Sequence, residues 1–223
     1  MPIIFGLLSN NMWNVRMNIG VGLYHSQNIE GALTTLPGAR IVCPSFADDA
    51  AGLLRTSMRS KGFTLFLEPK ALYNSVEATA VVPEDFGVPF GKARIRREGT
   101  DLSIITYGNT THFCLNAAER LEKEKGWKVE VIDIRSLVPL DKETIFESVK
   151  KTNKALVVHE DKVFSGFGAE LAAMIAGEMF RYLDGPVQRV GTFTPVGFNP
   201  ILEKEILPDE AKIYEAARKL LEY

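Results

Sequence analysis

Residues 102–134 read LSIITYGNTTHFCLNAAERLEKEKGWKVEVIDI, and this stretch decides the fold. Leu102 to Tyr107 is an apolar run too short for a helix, closed by the turn residues Gly108-Asn109-Thr110. From Thr111 to about Lys125 the apolar positions recur at helical spacing, and Val129 to Ile134 is a second apolar run. Strand, helix and strand with short connections predict a parallel crossover unit. The pattern then repeats. Lys142 to Thr152 reads as a helix, Ala155 to His159 as a strand, and Ser165-Gly166-Phe167-Gly168 as the turn opening a helix that reaches about Leu183. Val187 to Gly191 is a fourth strand, and Asp209 to Tyr223 a terminal helix with Ile213, Ala216, Ala217 and Leu220 on one face. Strands this continuously apolar need cover on both faces, which predicts a doubly wound α/β domain.

Upstream, Arg40 to Cys43 is a buried strand closed by Pro44, and Phe63 to Leu67 is another, ended by Glu68-Pro69. Between them Asp48 to Arg59 repeats Ala50, Leu53, Leu54 and Met58 at helical spacing, with Ser45 or Asp48 as expected caps. The segment around Val76 to Arg97 holds Val-Val-Pro-Glu-Asp-Phe-Gly-Val-Pro-Phe-Gly and little periodicity, so it reads as an extended linker. The expected division is a partial α/β unit over 1–80, a linker over 81–97, and the doubly wound domain over 98–223.

Composition narrows the function classes. The 223 residues are 46% hydrophobic and 24% charged with a formal net charge of -2, so no basic surplus points to nucleic acid. The two cysteines, Cys43 and Cys114, are too few for a disulfide framework and read as buried free thiols in a reducing compartment. No apolar run approaches the roughly 20 residues of a membrane span. The apolar N-terminus lacks a basic leader and a cleavage site, so the expectation is a soluble cytoplasmic protein.

Three histidines are present. His25 sits in Gly-Val-Gly-Leu-Tyr-His-Ser-Gln, where glycines permit close backbone approach and polar neighbours follow. That makes it the leading acid–base candidate, set against a plain loop histidine. His112 follows a Gly-Asn-Thr-Thr turn and is expected to cap or pack at a helix start. His159 ends a strand beside Glu160 and Asp161, at the sheet end where sites gather, but a structural hydrogen bond to Glu160 is the stronger expectation. The Gly166-Phe167-Gly168 turn offers amides to a phosphate, yet one Gly-x-Gly is a weak signal and a tight strand-to-helix turn is expected. No metal-ligand spacing, nucleophile elbow or Walker loop occurs.

The string Gly22-Leu23-Tyr24-His25-Ser26-Gln27, then Leu36-Pro37-Gly38, Pro44-Ser45, Ala51-Gly52-Leu53-Leu54 and Phe66-Leu67-Glu68-Pro69-Lys70, resembles the beta subunits of thiamine-diphosphate-dependent 2-oxo acid dehydrogenases. Val88-Pro89-Phe90-Gly91-Lys92-Ala93, Glu98-Gly99-Thr100-Asp101, Val131-Ile132-Asp133-Ile134-Arg135, Val138-Pro139 and His159-Glu160 continue the likeness in the family's order. Branched-chain and pyruvate enzymes are both similar. The resemblance implies a truncated pyrimidine-binding-type segment followed by a transketolase-type C-terminal domain. It also implies decarboxylation of a 2-oxo acid with acyl transfer to a lipoyl group, with His25 assisting proton transfer.

The family's activating glutamate lies upstream of the His-Ser-Gln string, and its Gly-Asp-Gly magnesium–diphosphate motif belongs to the alpha part. Thiamine diphosphate and magnesium are therefore expected in the complete enzyme and not on this chain alone. The expected partners are an alpha subunit, a second beta copy and the lipoyl acyltransferase. In pyruvate-type members an aspartate and the terminal carboxylate receive the acyltransferase, and the matching positions are Asp184 and Tyr223. Departures occur too: Ser57, Ser60 and Gly62 stand where the family often holds potassium, Phe193 replaces an acid in Gly191-Thr192-Phe193-Thr194-Pro195, and Leu7 to Met17 match poorly. The rival readings are a non-catalytic assembly module, or part of a transketolase or deoxyxylulose-phosphate synthase.

Overall fold

The computed structural model describes residues 2–9, 28–193 and 200–223. His25, Thr194 and Pro195 lie outside them, as does all of Leu7 to Met17 beyond Ser9.

Two sheets carry the fold. The first has the order β1-β3-β2-β7, built from β1 (Pro2–Ser9), β2 (Ala39–Val42), β3 (Gly62–Pro69) and β7 (Ser136–Val138). β1 and β2 flank β3 in parallel, and β7 closes the edge antiparallel to β2. The second has the order β4-β6-β5-β8-β9, from β4 (Arg94–Arg97), β5 (Leu102–Thr106), β6 (Val129–Asp133), β8 (Ala155–Lys162) and β9 (Gln188–Thr192). All its neighbours are parallel except the antiparallel edge strand β4.

Alternation along the strands sorts the helices. Leu102 and Ile104 face a core made with α3 (Thr110–Lys125) and α7 (Glu210–Leu221). Ile105 and Tyr107 face the opposite core, with α4 (Lys142–Thr152) and α5 (Phe167–Glu178). The expected doubly wound arrangement is present, and its elements end where local chemistry stops them. Asp141 and Asp209 accept the amides of Thr144 and Lys212 at the starts of α4 and α7. Gly126 and Asn153 close α3 and α4 in the left-handed conformation. Short helices α1 (Glu30–Leu33) and α6 (Pro200–Ile206) complete the chain.

The core over α4 and α5 also contains Ile41, Cys43, Leu65 and Leu67 of the first sheet, so the two sheets share one apolar interior. Both cysteines are buried and free. No helix among the described residues is long and apolar enough to cross a membrane.

Three local expectations are corrected. Neither Ser45 nor Asp48 is the N-cap of α2 (Ala47–Arg59); Phe46 holds that position without a side-chain bond. Leu54 and Met58 do not face inward: they are exposed, and the helix buries Asp49, Gly52, Leu53 and Ser57 instead. A carboxylate displaces the apolar stripe because two guanidinium groups meet it. Arg135 Nη1 donates to Asp49 at 2.7 Å, and Arg96 binds both Asp49 and Asp133. Finally, Arg94–Arg97, at the C-terminal end of the span read as linker, is the edge strand β4 that brings Arg96 to this network.

Candidate functional site

In the second sheet the chain passes from β5 out to β6, then returns across β5 to β8. The helices after β5 and β8 lie on opposite faces, so a crevice opens between the carboxyl ends of these two strands, the usual ligand position in such sheets. The pairing of β5 with β8 runs through Ile105 and Val157. Beyond it stand Tyr107, Gly108 and Asn109 on one side and His159, Glu160 and Asp161 on the other. Asn109 Nδ2 bridges the gap by donating to Glu160 Oε1 at 2.8 Å.

The chain fills this crevice with its own α1. The Gly31 amide donates to Asp161 Oδ2 at 2.9 Å, and the Phe167 amide at the start of α5 donates to the same oxygen at 3.1 Å. The Lys162 amide donates to Asp161 Oδ1 at 2.8 Å. Gly31 is required by close approach: a Cβ there would lie 2.8 Å from the Ser165 carbonyl oxygen. Asn28 and Glu30 are buried, and neither Asn28 Oδ1 nor Glu30 Oε2 meets a hydrogen-bond partner among the described residues. Burial, reinforced by the charges of Asp161 and Glu160, pushes the Glu30 carboxyl up to about 8. Glu30 therefore enters the crevice as a neutral acid. Tyr107 and Cys43 are pushed up by the same burial and by Glu30.

His159 corrects another expectation. It makes no hydrogen bond to Glu160, and neither ring nitrogen finds a partner among the described residues. Adjacent strand residues point to opposite faces, so the two side chains diverge and Glu160 turns to Asn109 instead. The imidazole lies against Gly168, where a Cβ would come within 2.1 Å of Nε2, and close to Gly191. The glycine turn thus makes room for a histidine, and the amide at its helix start donates to Asp161. Burial holds His159 down to about 4, with Arg189 adding to the effect. His112 behaves as expected. It packs on Phe46 with ring centroids 4.7 Å apart, and Nε2 pairs with the Ser45 carbonyl at 2.8 Å.

These two groups predict a pH dependence with a definite sign. Folding takes up a proton at Glu30 between pH 4.5 and about 8, so its stabilisation is full below 4.5 and is lost as pH rises to 8. His159 acts oppositely: its contribution is full above 6.5 and is lost as pH falls toward 4. The slopes offset each other between 4.5 and 6.5, and from 6.5 to 8 only the Glu30 loss remains, at up to about 1.4 kcal/mol per pH unit. Glu30→Gln is expected to flatten the fall in thermal stability over pH 6.5–8. Parallel wild-type and variant curves would place no titrating carboxyl in the crevice.

The expected docking positions come together. The Tyr223 ring lies against the 184–185 loop, since a Cβ on Gly185 would stand 3.1 Å from its Cδ1. Asp184 is exposed, and its amide donates to the Asn153 carbonyl at 2.8 Å. With Ala172, Ala176, Phe180 and Arg189, these two residues line an open groove of about 900 Å³ on α5.

The described residues do not fit the diphosphate end of thiamine diphosphate. No group of three His, Cys, Asp or Glu among them could hold a metal ion, and the α5 amide is already bonded internally. Ser57 and Ser60, at the positions matching the potassium site, spend their hydroxyls on the Leu53 and Thr56 carbonyls. Sequence reasoning missed Glu30, Asp161, Asn109 and the Arg96–Asp49–Arg135 network. Only Asp133 and Arg135 stood within a quoted motif, and their spacing alone did not indicate an ion pair.

The family description "Transketolase, C-terminal domain" matches residues 91–213. The 2-oxoisovalerate dehydrogenase subunit beta of Bacillus subtilis is 40% identical over 225 residues, covering 96% of this chain and 68% of its own length. The mitochondrial pyruvate dehydrogenase E1 component subunit beta of Saccharomyces cerevisiae is 41% identical, covering 91% and 56%. Acetoin:2,6-dichlorophenolindophenol oxidoreductase subunit beta of Bacillus subtilis is 38% identical, covering 93% and 61%. The chain thus spans between about half and two thirds of these relatives. Among solved structures, a split-gene transketolase described as an inactive beta4 tetramer superposes with a TM-score of 0.75 at 22% identity, over 98% of this chain and 76% of its own. A Pichia stipitis transketolase gives 0.65 at 14% identity, over 100% of this chain and 30% of its own. At these identities the likeness speaks for the fold.

Proposed function

The chain belongs to the family of 2-oxo acid dehydrogenase beta subunits, with a transketolase C-terminal domain over 91–213, and from that premise we propose that it is the beta part of a thiamine-diphosphate-dependent 2-oxo acid dehydrogenase. The observation that carries this reading is 40% identity across 96% of the chain. In the assembly the cofactor supplies the electron sink for decarboxylation, and an alpha subunit supplies the magnesium–diphosphate seat. A second beta copy and a lipoyl acyltransferase complete the set, in the cytoplasm or a mitochondrial matrix. Thiamine diphosphate is expected not to bind this chain alone.

His25 is the proposed proton-handling group in acyl transfer. His25→Ala is expected to slow acylation of a lipoyl acceptor by about a hundredfold in the reconstituted enzyme, the scale of a positioned acid–base group. The stability of the variant is expected to change by no more than about 0.5 kcal/mol, the scale of a tolerated loop substitution, as the glycine-flanked sequence around His25 suggests. Single-turnover acylation checks the first figure and thermal denaturation the second. Full acylation by the variant would remove His25 from the mechanism.

The alternative reading is a non-catalytic assembly module. Calorimetry separates the two readings. The chain alone should show no micromolar affinity for thiamine diphosphate with magnesium, and a complex with a family alpha subunit should show it. Tight binding by the chain alone, or no binding by the complex, contradicts the proposal.

A further inference from the structure

We infer that a pocket between α2 and the carboxyl end of β3 is a socket for the alpha subunit, which fills it with a lysine or arginine side chain; this rests on the alpha–beta assembly proposed above. The pocket measures about 330 Å³. Phe46 and Phe66 wall it, and Ala50 and Ala51 of α2 leave it room. Among the described residues of its lining, Glu68 alone is charged. The Tyr73 hydroxyl donates to Glu68 Oε2 at 2.7 Å, and Tyr73 is exposed, which sets the carboxylate at the mouth. Apolar walls under a fixed negative charge complement a long aliphatic stem that carries a cationic tip.

The surroundings and the place of the pocket point to a protein, and to the alpha subunit. Its mouth is ringed by exposed apolar side chains. Leu54 and Tyr73 line the pocket, and Met58 stands one helical turn beyond Leu54. Val76 is 82% exposed, in the loop that the Ala47 amide ties to α2 by donating to the Ala78 carbonyl at 3.0 Å. An exposed apolar patch marks a protein contact, and a pocket within it is where one anchoring side chain carries much of the binding energy. The pocket also opens where β2 and β3 end, at Pro44 to Phe46 and at Glu68 to Pro69. Parallel sheets hold ligands outside these strand ends. An alpha subunit that seats the diphosphate of a cofactor shared with this sheet approaches from the same end.

The test measures binding of a family alpha subunit to the full chain by surface plasmon resonance, and self-association of the chain by sedimentation. Ala50→Leu fills the socket with a good helix former and is expected to weaken alpha binding by at least about 30-fold, the scale of a hot-spot residue. Glu68→Gln keeps an acceptor for Tyr73 and removes the charge. It is expected to weaken alpha binding by about 10-fold and to make it less sensitive to salt. Self-association should stay as in wild type in both variants. If thermal denaturation shows that Ala50→Leu does not fold, Glu68→Gln decides. Unchanged alpha affinity in both variants would overturn the inference. So would lost self-association with alpha affinity retained, which would give the socket to a second copy of the chain. If the wild-type chain itself binds no alpha subunit, the assembly reading fails and takes this inference with it.

Discussion

Asp49→Ala is expected to lower stability by about 3–5 kcal/mol, the cost of breaking a buried ion pair from one side. Asp49 is fully buried in α2 and faces Arg135 at 2.7 Å and Arg96. Removing it leaves two nearly buried guanidinium groups against a single carboxylate, Asp133. The Arg135 fork also donates to the Lys92 and Ala93 carbonyls, so its head cannot swing out to water without breaking those bonds. The network ties α2 of the first unit to β4 and β6 of the second, and the loss should appear as a lower urea midpoint. Asp49→Asn, which keeps an acceptor, should cost less. A midpoint within experimental error of wild type for the alanine variant would mean that this ion-pair network does not contribute to joining the units.

Asp184→Lys is expected to weaken binding of a cognate acyltransferase docking domain by about 2–5 kcal/mol, because reversing a charge that becomes buried on docking leaves its partner unpaired. The groove supports this: Asp184 and the Tyr223 ring share it, with apolar Ala172, Ala176 and Phe180 as floor and wall. Arg189 also lines the groove, and its Nη1 is engaged by the Val163 carbonyl at 2.6 Å. Losing one attractive pair should also make affinity less sensitive to salt. Surface plasmon resonance at two salt concentrations measures both effects. Unchanged affinity in Asp184→Lys and in a C-terminally amidated chain would leave these acids a role in solubility only.

The fold was largely legible because its strands are apolar on both faces and its helices carry clear stops. The runs Leu102 to Tyr107, Val129 to Ile134 and Ala155 to His159 stood out and contain or overlap β5, β6 and β8, and the helices expected to end near Lys125 and Thr152 do so, closed by Gly126 and Asn153. β4 escaped because Arg94-Ile95-Arg96-Arg97 is nearly all charge, and its inward residue is an arginine buried by acids on other elements. β7 escaped because three residues before Pro139 carry too little pattern. The inward face of α2 was misread for a related reason: apolar spacing favours Leu54 and Met58, while Asp49 is buried only because Arg96 and Arg135 arrive from far along the chain.

The candidate site was legible only in part. The neutral Glu30 has no local signature, since its burial follows from the placement of α1 over a crevice formed more than 70 residues later. The Gly166 and Gly168 pair announced a tight turn correctly, but the reason for Gly168, the imidazole of His159 beneath it, needed the tertiary contact. The family was legible through strings of residues, and the local physics of a glycine-flanked histidine gave His25 only as a candidate.

The central claim is that this chain works as the beta part of a decarboxylating assembly, and release of labelled carbon dioxide from carboxyl-labelled 2-oxo acids tests it most directly. The chain and a family alpha subunit, each alone and then together, are supplied with thiamine diphosphate and magnesium. Release from the mixture alone, with at least one of 2-oxoisovalerate and pyruvate, is the predicted result. Release by the chain by itself, or none from the mixture once a complex has formed, would contradict it.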